Sequence, residues 1–162
     1  MSEQNSVGVT RTKTGYIVSV HGQGTRQQSP AVRDFVSGAM EDGADIVLDL
    51  SRCEYLDSTF LGCLVVLHKR GCERGNRFSV HADDARMKKL LHPTRLDTIL
   101  ARREELPPAV SATVELPALE LPREEFGQHL LNTHEELANV DSPSSAAFRL
   151  VCDQLRKELG EG

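Results

Sequence analysis

The chain of 162 residues contains no tryptophan and few other aromatic residues, with two Tyr and five Phe. A core must therefore be built mainly from Leu, Val, Ile and Ala. No apolar stretch has the length of a membrane span, and the N-terminus lacks the charged and then apolar layout of a signal peptide. With an ordinary apolar fraction of 39%, these absences lead us to expect a cytoplasmic protein without membrane insertion.

Residues that commonly carry catalysis or metal binding do not form recognisable motifs. The four cysteines include no C-x-x-C pair and fit no zinc template. There is no H-E-x-x-H motif, no histidine pair at i, i+4 spacing, and no G-x-S-x-G elbow around a serine. We therefore expect structural cysteines, no metal, no cofactor and no enzymatic activity.

Charge is unevenly distributed along the chain. The net charge is −5, and residues 106–162 carry 10 acidic against 4 basic side chains, whereas residues 1–105 are nearly balanced. Basic residues are dispersed and form no concentrated positive stretch. This pattern argues against a nucleic-acid-binding protein.

The stretch from Ala44 to His68 organises the rest of the chain. It begins with the apolar run 46–48 and ends with the almost wholly apolar run 60–67. The polar segment Asp57-Ser58-Thr59 lies between them. This pattern predicts a short strand, a tight connection and a buried helix whose first turn is capped by one of these side chains. A hydroxyl at such a helix start lies where a phosphate is well tolerated.

Strands and helices alternate around this stretch. Residues 7–13 and 16–20 predict a hairpin, Ser29-Pro30 predicts a helix start with serine as the cap, and residues 77–81 predict another strand. The alternation indicates an α/β fold, a small mixed sheet packed with helices. Gly22-Gln23-Gly24 is predicted to interrupt the second strand. Its G-x-G spacing leaves a nucleotide-binding protein or enzyme as an alternative, although the third small residue of such loops is missing.

The C-terminal third differs from the rest of the chain in composition. Four prolines in residues 105–122 predict a linker that is partly docked on the surface. Two amphipathic helices follow, one from about Arg123 to Ala138 and one that begins with Ser142 as cap and Pro143 in the first turn. The predicted units are residues 1–104, 105–122 and 123–162. The helical pair needs another apolar surface, either its own domain or a second copy in a homodimer, and the sequence leaves both open.

The central stretch resembles STAS domains, the domain of bacterial anti-anti-sigma factors. Their signature is an apolar strand followed by Asp-Ser-(Ser/Thr)-Gly-Leu-Gly at the start of a helix. Phe60 replaces the first of its glycines. The positions that match the signature in order are Asp57, Ser58, Thr59, Leu61 and Gly62. At lower specificity the resemblance extends from about residue 16 to about residue 100.

This resemblance implies an anti-sigma factor antagonist that binds an anti-sigma factor with serine/threonine kinase activity. The kinase would phosphorylate Ser58 or Thr59, and a phosphatase would restore binding. Asp57, Phe60 and Leu61 would complete the partner-binding surface, with Phe60 either on that surface or in a core pocket under the helix. The alternative is an unphosphorylated STAS subunit of a lipid-transport ABC complex or a signalling scaffold.

Overall fold

Six strands form one mixed β-sheet in the computed structural model, which describes residues 5–160. The strands lie in the order β5-β4-β3-β2-β1-β6. Strand β1 is antiparallel to both of its neighbours, β2 and β6, whereas β2, β3, β4 and β5 are parallel. The strands are β1 (Ser6–Arg11), β2 (Gly15–Gly24), β3 (Asp45–Leu56), β4 (Phe78–His81), β5 (Ala101–Arg102) and β6 (Val114–Glu115).

Five α-helices accompany the sheet in the described part of the chain. A π-helical turn at Met87–Leu91 continues α3, and two short 3₁₀ turns lead on to β5. No helix within residues 5–160 is long and apolar enough to cross a membrane. The helices are α1 (Ser29–Glu41), α2 (Ser58–Arg74), α3 (Asp84–Arg86), α4 (Arg123–Ala138) and α5 (Ser145–Glu158).

The main core lies between the sheet and helices α1 and α2. Aliphatic side chains of β2 and β3 pack there against α2, and Phe60, Leu64 and Leu67 of that helix are completely buried. Helix α4 covers the side of α2 that faces away from the sheet. This explains why α2 can be apolar almost all round. The predicted α/β architecture is therefore confirmed, and its central strand and helix are those that the sequence pattern indicates.

Three local predictions differ from the structure. Gly22-Gln23-Gly24 does not interrupt β2, because it stays paired with β3 through local register shifts. Ser29 is the first residue of α1 and not its cap, since its side chain is wholly buried against α4. Helix α5 begins at Ser145 because the Ser142 hydroxyl accepts from the Ser144 N–H in a turn before the helix.

Residues 105–122 extend the sheet beyond β1. The Val110 N–H donates to the Arg11 carbonyl at 2.8 Å, and the Leu116 N–H donates to the Val7 carbonyl at 2.8 Å. Along the chain, strand β6 lies between these two contacts, and it pairs directly with β1. The proline-containing segment is thus tied to the sheet edge over much of its length, and β1 lies inside the sheet.

The predicted C-terminal helical hairpin is confirmed, and it packs on its own domain. Leu137 and Val140 at the end of α4 belong to the main core. Helices α4 and α5 also share a second, smaller apolar cluster. Its buried members are Leu131, Ala138 and Cys152.

The close contact at the start of β2 and β3 predicts a large effect of Gly15→Ala. A β-carbon at Gly15 would lie 1.8 Å from the Asp45 carbonyl oxygen, so the two parallel strands would have to separate. We expect a loss of about 1–3 kcal/mol in the free energy of unfolding, measured by urea denaturation. At the control position Gly38 in α1, an added β-carbon would meet no atom of residues 5–160 outside its own helix backbone within 4 Å, so Gly38→Ala should gain up to about 1 kcal/mol. Equal effects of the two substitutions would contradict this packing.

Candidate functional site

Asp57 joins three segments at the carboxyl end of β3. It is the N-cap of α2, and its Oδ1 accepts from the Phe60 N–H at 2.8 Å. Its Oδ2 accepts from the Arg26 N–H at 2.8 Å, in the loop between β2 and α1. Its own N–H donates to the Gly24 carbonyl at 3.0 Å. Both carboxylate oxygens are therefore used to fix the loop that presents the next residue.

Ser58 is the first residue of α2 and is half-buried. Its Oγ lies 2.9 Å from Nε2 of His134 on α4. The His134 Nδ1 lies 2.7 Å from the Leu130 carbonyl oxygen, which can only accept, so Nδ1 carries a hydrogen. In the neutral ring Nε2 is then the acceptor, and the Ser58 hydroxyl donates to it.

Thr59, Phe60 and Leu61 lie inside the protein. Thr59 is 4% exposed and Leu61 7%. Phe60 is completely buried, and a β-carbon at Gly24 would lie 3.1 Å from its ring. The glycine on β2 thus makes room for the phenylalanine that replaces the signature glycine. The sequence allows Phe60 to lie either on the partner-binding surface or in a core pocket. In the structure it lies in the core pocket.

The structure brings two histidines to this region that the sequence analysis did not connect with it. His134 contacts Ser58, and His129 Nε2 lies 2.6 Å from the Ser29 hydroxyl. Both histidines are buried polar residues on an amphipathic helix. The sequence alone could not reveal these two contacts, because the partners of His134 and His129 are 76 and 100 positions away along the chain.

His129 is held as a neutral ring. Arg33 Nη1 donates to its Nδ1 at 3.2 Å, so the ring hydrogen lies on Nε2 and points to the Ser29 hydroxyl. Burial, followed by the charge of Arg33 and the proximity of His134, lowers the pKa of His129 from 6.5 to about 4. This contact joins the start of α1 to the middle of α4.

Helices α2 and α4 approach most closely beside Ser58. A β-carbon at Gly62 would lie 2.1 Å from the Thr133 carbonyl oxygen. Only glycine permits this approach of the two backbones. The contact lies one helical turn beyond Ser58, on the same side of α2.

The Ser58–His134 pair has the donor and acceptor arrangement that activates serine nucleophiles in some enzymes. Here the other ring nitrogen of His134, Nδ1, contacts the Leu130 carbonyl and not a carboxylate of the kind that completes a catalytic triad. Within residues 5–160, no group of three or more His, Cys, Asp or Glu side chains is placed to hold a metal ion. The geometry of the site is suited to presenting or covering a hydroxyl at a helix start.

Comparison with known proteins identifies the same part of the chain. A family model described as "Mlab, STAS domain" matches residues 7–102. An anti-sigma factor antagonist from Mycobacterium paratuberculosis has a similar crystal structure, with a TM-score of 0.55 and 25% sequence identity over 65% of this chain and 92% of that chain. The anti-sigma factor antagonist SpoIIAA in its unphosphorylated form has a TM-score of 0.52 and 14% identity, over 62% of this chain and 90% of that chain. The second likeness shows the shared fold alone. No curated protein sequence matches the chain.

The two hydrogen bonds of the Asp57 carboxylate predict graded effects of substitution. Asp57→Ala removes both acceptors and should lower the free energy of unfolding by about 2 kcal/mol. Asp57→Asn keeps an acceptor for the Phe60 N–H and places an amide where Oδ2 accepts from the Arg26 N–H, so we expect about half that loss. Urea denaturation measures both: an equal loss in the two variants would show that the bond to the Phe60 N–H contributes nothing, and wild-type stability of Asp57→Asn would show the same of the contact with Arg26.

The lowered pKa of His129 predicts a stability that depends on pH. The unfolded chain takes up this proton near pH 6.5, whereas the folded protein does so only near pH 4. The contribution is therefore complete above pH 6.5 and is lost as the pH falls towards 4. Urea denaturation of wild type and His129→Gln across this range should give a shallower pH slope for the variant. Gln128→Asn, which changes the exposed and non-titrating residue beside His129, should retain the wild-type slope.

Proposed function

Because the chain belongs to the STAS-domain family, we propose that it is an anti-sigma factor antagonist that binds an anti-sigma factor with serine/threonine kinase activity. The kinase phosphorylates Ser58 and thereby ends the interaction, and a phosphatase restores it. Sigma factor is released while the unmodified chain holds the anti-sigma factor. The proposal places the chain in the cytoplasm, where sigma factors act on RNA polymerase.

The observation that carries this proposal is the placement of Ser58. Its hydroxyl lies at the N-terminus of a buried helix, in a loop fixed by both carboxylate oxygens of Asp57. Phosphate oxygens at a helix start are stabilised by free N–H groups and by the helix dipole. Modification is therefore compatible with the fold of the loop and changes the charge that a partner meets by about −1.5 to −2.

Between the two hydroxyl residues, Ser58 is the favoured acceptor. Thr59 is buried in the second position of α2, whereas Ser58 is half-buried at the first. The partner surface that we propose is centred on Asp57 and Ser58. Thr59, Phe60 and Leu61 support it from within the helix.

A second candidate function is an unphosphorylated STAS subunit in a lipid-transport ABC complex or a signalling scaffold. It is favoured by the hydrogen bond that the Ser58 hydroxyl already makes to His134 and by the burial of Thr59. Such a subunit would co-purify with a membrane ATPase or scaffold protein and would not be labelled by a kinase. The two functions are thus separated by one labelling experiment.

The test of the first function is phosphorylation of the full chain by the anti-sigma factor kinase of its source cell, with the site mapped by mass spectrometry. We expect one phosphate on Ser58, no labelling of Ser58→Ala, and normal labelling of Thr59→Val. Ser58→Asp should bind the anti-sigma factor about tenfold more weakly or worse, because it places an unpaired charge in the interface.

Ser111→Asp is the matched control for that binding measurement. It adds the same charge on the segment beside β1, where the Ser111 Oγ accepts from the Arg11 N–H. Binding should remain at the wild-type level in this variant. An unlabelled wild-type chain, together with wild-type binding by Ser58→Asp, would reject the phosphorylation switch and favour the second candidate.

A further inference from the structure

The C-terminal hairpin, α4 and α5, covers the side of α2 that begins with Ser58. His134 contacts Ser58, the Thr133 carbonyl lies over Gly62, and Glu136 forms an ion pair with Lys69. Positions 58, 62 and 69 follow i, i+4, i+11 spacing and therefore form one stripe along the helix. The hairpin thus occupies the surface that starts at the proposed modification site.

This hairpin lies outside the part of the chain that the family model matches. The family model ends at residue 102, before α4 begins. The alignment with the Mycobacterium antagonist covers 92% of that chain but only 65% of this one. About a third of this chain therefore lies outside the alignment with that protein.

The interface between α4 and helices α1 and α2 is rich in polar groups. Thr133 and His134 are buried against α2, and His129 is buried against α1. Contacts of this polar character are typical of interfaces within one chain that open and close, more than of a permanent core. Leu137 and Val140 bury apolar surface at the end of α4 and hold the hairpin in place.

We propose that the α4–α5 hairpin is an internal competitor for this face of α2, so that a partner or a phosphate on Ser58 is accommodated only when the hairpin has left it. The part that concerns the partner rests on the proposed function. The part that concerns charge at Ser58 follows from the contacts of this chain alone.

A phosphate on Ser58 and the docked hairpin exclude each other for two reasons. The hydroxyl oxygen is 2.9 Å from His134 Nε2, so a phosphorus atom and its oxygens placed along this contact would overlap the His134 ring. In addition, Nδ1 donates to the Leu130 carbonyl, so Nε2 of a neutral ring presents a lone pair to the hydroxyl. Phosphorylation removes the donor hydrogen of Ser58 and brings negative charge to that lone pair.

A released hairpin remains close to its site. The Leu116 N–H is bonded to Val7, and α4 begins at Arg123, so the free tether is residues 117–122. Six extended residues span about 20 Å. The hairpin therefore stays at a high effective concentration, and a partner has to compete with it continuously.

Gly62→Ala is the sharpest substitution for separating the two helices. The added β-carbon would clash with the Thr133 backbone, which cannot rotate away, while alanine is itself a better helix former than glycine. Gly38→Ala makes the same change in α1, where the described part of the chain places no atom from outside that helix backbone within 4 Å. Ser58→Glu places a negative charge at the His134 contact, and its control Ser58→Ala removes the hydroxyl without adding charge.

The test is hydrogen exchange of the full-length variants, measured by mass spectrometry on peptides from α4, α5 and the sheet. We expect exchange in α4 and α5 to be faster by about tenfold or more in Gly62→Ala and Ser58→Glu, with sheet peptides unchanged. Gly38→Ala should match wild type, and Ser58→Ala should change far less than Ser58→Glu. If Gly62→Ala exchanges everywhere, Ser58→Glu alone decides the result. Wild-type protection of the hairpin in Ser58→Glu, or stronger protection through a protonated His134, would overturn the proposal.

A second arm adds the anti-sigma factor to the wild-type chain. The proposal expects faster exchange in α4 and α5 in the complex and slower exchange at the start of α2. Binding that leaves the hairpin as protected as before would overturn the competition while leaving the proposed function intact. Absence of binding, with release of the hairpin in Ser58→Glu, would instead reject the proposed function and retain the exclusion between charge at Ser58 and the docked hairpin.

Discussion

The carboxylate of Asp57 is the interaction on which the geometry of the site depends. One oxygen caps α2 and the other holds the loop before α1, while the backbone N–H of the same residue bonds to the end of β2. A single side chain thereby fixes the relative positions of a strand end, a loop and a helix start. Because Ser58 is the next residue, these bonds also set its position at the start of α2. The domain places the Ser58 hydroxyl at the start of α2, and His134 of the hairpin contacts it there.

The replacement of a signature glycine by Phe60 is accommodated inside the domain. Its ring is completely buried and packs over Gly24, where a side chain would also meet Leu56. A large residue on α2 is thus balanced by the smallest one on β2, as close packing requires. The departure from the signature changes the core beneath the loop, while Asp57 and Ser58 keep the positions that the signature gives them.

The sequence predicts the order of the elements well because strands and helices leave periodic apolar patterns. The strand before Asp57, the helix after it and the hairpin of residues 123–158 are all visible in this way. The pattern could not reveal that Ser29 is bonded to His129 or Ser58 to His134, since these partners are distant in sequence and meet only after the hairpin docks. It also predicted a break at Gly22–Gly24, where pairing with β3 carries β2 onward despite the glycines. Local propensity was overridden in each case by a tertiary contact.

The distribution of charge favours the same arrangement of the hairpin. The C-terminal third is strongly acidic, whereas the face of α1 and α2 beneath it carries Arg33, Lys69 and Arg70. Of these, Lys69 pairs directly with Glu136, and the pKa of Arg33 is lowered by burial and then by the neighbouring charge of Arg70. Glu125 of α4 lines the same groove as Arg33 and Arg70, where a negative charge offsets the repulsion between the two guanidinium groups. A phosphate on Ser58 would bring competing negative charge to the same face and add to the repulsion of the acidic hairpin. Steric exclusion at His134 and electrostatics across the interface therefore act in the same direction, and salt would weaken the second contribution while leaving the first unchanged.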